Sequence, residues 1–179
     1  FLMYMAAPIT SLAELKGKRI RVFPALLPLV QALGAEGIVL PIGEIYTAME
    51  RGAIDGFMQG PVGNVIQFEN VVDTVIYPGV YRAGFPVLVN KDAWAQVPTD
   101  LQDRIITFLR DEIAYELDGI WAEDIAKGIA DMDTAGFTRL QLSDEEAARF
   151  KQIAMDAAWA ATAESVGADI AGELRAMLD

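Results

Sequence analysis

The sequence predicts an α/β fold in which a parallel or mixed sheet is covered by helices, and three observations lead to it. Between residues 19 and 90, short apolar runs alternate with stretches at helical spacing. The connections between them are short, with Gly17, Gly34 and Gly52 as stops. From Pro98 onward the alternation ends and the pattern is helical. In sheets of this kind ligands bind at the carboxyl ends of strands, in loops and at helix N-termini.

The elements follow in order. Ser11-Leu-Ala-Glu14 is a capping box that opens a short helical turn, stopped by Gly17. Arg19 to Phe23 alternates polar and apolar residues and reads as a strand. Ala25 to Leu33 is a helix, with Pro28 acceptable only in its first turn. Gly37 to Ile42 is a short buried strand, and Glu44 to Arg51 an amphipathic helix. Ala53 to Met58 is a strand candidate, after which Gly60-Pro61 starts a helix through Phe68. Val71 to Tyr77 and Val87 to Asn90 complete the strands.

Thr99-Asp-Leu-Gln102 is a second capping box. Beyond it, Leu101, Ile105, Leu109, Ile113, Leu117, Trp121, Ile125 and Ile129 recur every fourth residue. That is one apolar stripe, on the order of 43 Å long if unbroken, with a kink at Gly119 or Gly128 as an alternative. Steps of four without a three-four alternation are not a coiled-coil heptad. Ser143-Asp-Glu-Glu146 caps a last, interrupted helix towards Leu178.

Composition narrows the chemistry. Of 179 residues 53% are hydrophobic and 22% charged, enough to bury a core. The net charge of −12 argues against nucleic acid or an anionic membrane as partner. With neither Cys nor His, disulfides, thiol nucleophiles, a Ser-His-Asp triad and most transition-metal sites are excluded. No apolar run is long enough to span a membrane. The apolar opening, Phe1 to Ala7, is short and lacks the basic start of a cleavable signal. A chain opening on Phe suggests a processed or truncated piece. Residues 1–99 carry 8 acidic and 7 basic side chains, and residues 100–179 carry 18 and 7. Four of the first seven cluster at Lys16, Lys18, Arg19 and Arg21, one place suited to an anion.

Three motifs carry a family resemblance. Ser11 to Val22 (SLAELKGKRIRV), Pro41 to Gly56 (PIGEIYTAMERGAIDG) and Pro86 to Trp94 (PVLVNKDAW) resemble, in order and spacing, segments of the solute-binding subunits of tripartite ATP-independent periplasmic (TRAP) transporters. The resemblance covers the later part of that family's usual length, with the first lobe largely missing. It implies a periplasmic-binding-protein-like (type II) lobe over residues 1–84, and a crossover strand with a long lobe-spanning helix over 85–136. Residues 137–179 are then a C-terminal segment that packs back on the lobe. It also implies a periplasmic protein, not an enzyme and without a cofactor. Such a protein captures a small carboxylate and delivers it to the membrane permease of a TRAP transporter. A missing N-terminal lobe present as a separate fragment is a further partner it suggests.

The resemblance places the ligand carboxylate on Arg21, whose planar, always-charged fork suits bidentate pairing. Without it, Arg21 reads as a surface strand residue. Where the family has Asn in an Asp-Gly-Gln-Glu-Asn-Pro run, this chain has Asp55-Gly-Phe-Met-Gln-Gly-Pro61. Met58, Gln59 and Gly60 are therefore candidate replacements, through the Gln59 amide or backbone N–H groups at Gly60. Tyr81 and Phe85, just before the crossover, are candidates for lining the cleft. Asp55-Gly56 reads as a strand-ending turn before a catalytic carboxylate. Trp94, Trp121 and Trp159 read as packing residues before ligand platforms. Two alternatives stand beside the binding protein: a carboxylate-based enzyme built on Asp55, and a helical dimerisation module using the long stripe.

Overall fold

The computed structural model describes residues 1–62, 65–84 and 86–178. Its strands are β1 (Leu2–Met5), β2 (Arg19–Val22), β3 (Glu36–Val39), β4 (Gly56–Gln59), β5 (Thr74–Tyr77) and β6 (Thr138–Gln141). They form one sheet in the order β3-β2-β4-β1-β5-β6. β1 is antiparallel to both neighbours, and every other adjacent pair is parallel. The carboxyl ends of β2 to β6 therefore share one edge with the amino end of β1.

Two strands were not expected from the sequence. All four residues of β1 are buried, so a strand that faces core on both sides has no polar alternation to display. β6 follows Gly136, whose φ of 76° ends the preceding helix in a conformation that favours glycine.

Each face of the sheet has its own core. Met3, Met5, Ile20, Val22, Met58 and Ile76 pack on one face. They are covered by Val30 of α1 (Leu27–Ala32) and Phe150 of a C-terminal helix spanning Asp144–Val166. Leu2, Tyr4, Phe57 and Val75 pack on the other, under Ile45 and Met49 of α2 (Ile45–Glu50). Pro28 does sit in the first turn of α1, where its missing N–H costs nothing.

The second half departs more from expectation. Val87 to Asn90 is not a strand but exposed chain, with Leu88 at 87% exposure. Its composition suits a strand, yet among the described residues no neighbouring strand takes up its backbone groups. Asn90 caps α3 (Lys91–Ala95), accepting from the N–H groups of Asp92 and Ala93 at 2.9 and 3.0 Å. The second capping box does not form. Gln102 turns its amide back to the carbonyls of Trp94 and Val97, at 2.8 Å each.

The stripe is one long helix: α4 (Thr99–Phe108), a π turn at Leu109–Ile113, and α5 (Ala114–Thr134). Apolar residues spaced by four drift about 40° per step around a 3.6-residue helix. A wider i→i+5 turn recovers part of that drift, which accounts for the π turn where glycines alone suggested a kink. The 144–166 helix (hereafter α6) opens with the expected capping box, Ser143 Oγ accepting from Glu146 N–H at 3.3 Å. Gly167 interrupts it before α7 (Ala168–Ala176). Among the described residues no helix is long and apolar enough to cross a membrane.

Candidate functional site

The shared carboxyl edge of the sheet gathers most of the unusual chemistry. Arg21 on β2 stands opposite Phe57 of β4, which in turn stands opposite Tyr4 of β1. Paired positions share a face, so Arg21 rises among the apolar groups of the second core. It is only 5% exposed. Its Nε donates to the Leu40 carbonyl at 3.0 Å, which fixes the plane of the guanidinium with one of its five donors. No acidic side chain pairs with it among the described residues. Burial without a counter-charge pushes its pKa below the usual arginine value.

Arg19, two residues earlier, shows the opposite arrangement. Its Nε and Nη2 donate to Asp55 at 3.0 and 2.8 Å, and the Arg19 backbone N–H reaches the same carboxylate at 2.8 Å. The guanidinium fork holds Asp55 below the usual carboxylate range. Asp55 is thus a clamp between β2 and β4, and its lone pairs are committed to structure. Among the described residues no cluster of acidic side chains could hold a metal ion.

Next to this edge lies a cavity of about 250 Å³. Gly60 and Pro61 form one wall, Phe1 and Tyr81 a second, and Trp121 and Ile125 of α5 a third. Phe1, Phe23 and Tyr81 pack edge to face with centroids 5.3 to 5.4 Å apart, which fixes two of those rings. The loop reaches α5 at Gly128, where a Cβ would overlap the Pro61 carbonyl oxygen, so only glycine admits this approach. A larger hollow of about 540 Å³ is lined by α4 and the π turn alone, and a single helix cannot enclose a ligand.

The candidates from the sequence separate. Gly60 and Tyr81 line the cavity. Gln59 is two residues beyond Phe57 on β4, on the face of Arg21, and its Oε1 is buried with no hydrogen-bond partner among the described residues. Met58 points the other way, into the first core at 1% exposure, because alternate strand residues face opposite sides. It is not brought to the site. Phe85 lies outside the described residues. Gly60 to Val62 form no helix, residues 63 and 64 lie outside the described residues, and the turn at Val65–Phe68 is a short 3₁₀ segment. Sequence reasoning missed Phe1 and Arg82 as lining residues and took Trp121 for packing. The signal for Trp121 was its place in the stripe; for Arg82 it was only its adjacency to Tyr81.

Comparison with known proteins decides the family. Residues 2–165 match the bacterial extracellular solute-binding protein family 7, DctP. The chain belongs to this family. The family consists of solute-binding proteins of transport systems, not enzymes. The C4-dicarboxylate-binding periplasmic protein DctP of Rhodobacter capsulatus is 28% identical over 181 residues, covering 98% of this chain and 53% of that protein. A TRAP periplasmic solute-binding protein from Desulfovibrio salexigens, solved with bound orotic acid, superposes with a TM-score of 0.78 at 23% identity. That match covers 98% of this chain and 57% of the solved one. Another from Shewanella oneidensis, solved with succinate, gives 0.70 at 22% identity over 96% and 57%. These structures establish the periplasmic-binding-protein fold of the chain. The chain spans about half the length of the curated relatives it matches.

Proposed function

We propose that this chain is the second lobe and lobe-spanning helix of a periplasmic solute-binding protein that captures a small carboxylate for a TRAP transporter. Arg21 is the residue that pairs with the acid group. The observation that carries this reading is the buried guanidinium with no acidic partner among the described residues. A charge so placed is costly unless an anion joins it, and a carboxylate matches its geometry. Gln59 and the backbone at Gly60 stand at the same edge to complete the contacts. The lobe comprises residues 1–84, the crossover and long helix 85–136, and the returning segment 137–179. The exposed stripe of α4 and α5 is where a first lobe packs, closing over the acid. The permease of the transporter is the macromolecular partner.

The test is calorimetric titration of the complete protein with a panel of carboxylates including succinate, pyruvate and phenylacetate. At least one binds, and saturation at 100 times its dissociation constant stabilises the fold by about 2.7 kcal/mol. Arg21→Ala removes both effects. Undiminished binding by Arg21→Ala overturns the assignment.

A further inference from the structure

Two polar groups stand unmatched beside each other on the second face of the sheet. Arg21 pairs with Phe57 of β4, and Gln59 is two residues further along that strand, on the same face. One strand across and two residues along, their Cα atoms are on the order of 8 Å apart, within reach of two long side chains. Arg21 also pairs with Ile38 of β3, and its Nε donates to the carbonyl of Leu40, two residues towards the carboxyl edge. The guanidinium is thereby drawn along the sheet in the direction in which Gln59 lies.

Gln59 supplies the opposite need. Its amide oxygen is buried with no donor among the described residues, so it accepts nothing from Arg21. A buried acceptor without a donor is unfavourable, and folded proteins leave few of them. Here a donor group and an acceptor group lie on adjacent strands at the carboxyl edge and do not satisfy each other. A molecule that satisfies both carries an anion for Arg21 and a donor beside it for Gln59. A hydroxyl on the carbon next to the carboxylate is such a donor, whereas an ammonium there would bring a second positive charge up to Arg21. The last torsion of a glutamine side chain is soft, so the amide can turn its oxygen to a ligand without moving the strand.

Resting on the carboxylate-binding reading above, we propose that Gln59 recognises a hydroxyl beside the ligand's acid group, so that the protein selects a 2-hydroxy acid over the same acid without the hydroxyl. Gln59→Leu keeps a side chain of similar size and removes the acceptor. The oxygen it removes has no donor among the described residues, so the ligand-free variant melts no lower than wild type.

The experiment titrates the complete protein with matched acids: glycolate and acetate, lactate and propionate, malate and succinate, phenyllactate and phenylpropionate. Wild type, Gln59→Leu and Arg21→Ala are compared. In every pair that binds, wild type takes the hydroxy acid about tenfold more tightly or better, the scale of one hydrogen bond. Gln59→Leu weakens the hydroxy acid alone and brings the pair within about threefold, and Arg21→Ala loses both members. Equal affinity within each pair, with dependence on Arg21, overturns the role of Gln59 and leaves the carboxylate reading standing. So does a Gln59→Leu variant that weakens both members alike, keeps the preference, or melts well below wild type without ligand. Binding of none of these acids overturns the proposed preference, and failure of the wider acid panel as well overturns the carboxylate reading.

Discussion

The sheet and the long helix of this chain are stabilised in opposite ways. Every residue of β1 is buried, and the two faces of the sheet carry continuous cores. The 99–134 helix has twenty-one residues in α5 alone, yet within α4, the π turn and α5 only Gly128 and Met132 are buried. Leu101, Phe108, Leu117 and Ile120 stand exposed. The sheet is specified by burial within the chain, whereas the helix is specified by spacing and touches the lobe at one end. A helix so exposed on its apolar side is built for a further layer of protein, which in the proposed reading is the first lobe.

Substitutions sharpen that contrast. Phe57→Ala removes a buried ring stacked on Tyr4 at 4.7 Å. It is expected to cost about 3–5 kcal/mol in a denaturant melt, and a loss below 1 would mean that the second core is loosely packed. Gly128→Ala drives a methyl group into the Pro61 carbonyl, where backbone must move. The expected cost is about 1–3 kcal/mol, with loss of protection at residues 60–62 in hydrogen exchange. An unchanged melt would place the loop away from α5. Ile120→Ala, at an open position of the stripe, is expected to change the stability of this chain by less than about 0.5 kcal/mol. A cost like that of Phe57→Ala would show the stripe already covered.

A smaller effect distinguishes the two arginines by pH. Asp55 has its pKa depressed below the usual carboxylate value, first by the Arg19 side-chain hydrogen bonds. A depressed carboxylate contributes stability that is present above its unfolded pKa and lost as pH falls through the folded one. Asp55→Asn should therefore flatten the loss of stability below about pH 4 and leave the curve near neutrality parallel to wild type. A mutant curve that keeps the full acid slope would remove Asp55 as its cause. The pair is partly exposed, so the effect is modest.

Much of the fold was legible because local chemistry and burial agree. The Ser143 capping box and the helix after Pro41 follow from residues close in sequence. β1 was illegible because a strand buried on both faces looks like any apolar stretch. Val87 to Asn90 misled for the reverse reason, having strand residues without a strand to pair with. The site was legible only in part. Arg21 alternates with apolar neighbours just as a surface arginine would, and the motif around it supplied the distinction. The cavity draws on residues 1, 60–62, 81–83 and 118–125, which no local pattern joins.

The most direct test of the central claim is thermal unfolding of wild type and Arg21→Met, each with and without saturating carboxylate. If Arg21 is a buried charge kept for an anion, the methionine variant is at least as stable as ligand-free wild type, by on the order of 1 kcal/mol. It also shows no ligand-induced rise in melting temperature. A variant that is much less stable than wild type without ligand, or one that gains as much from ligand as wild type does, would contradict the claim.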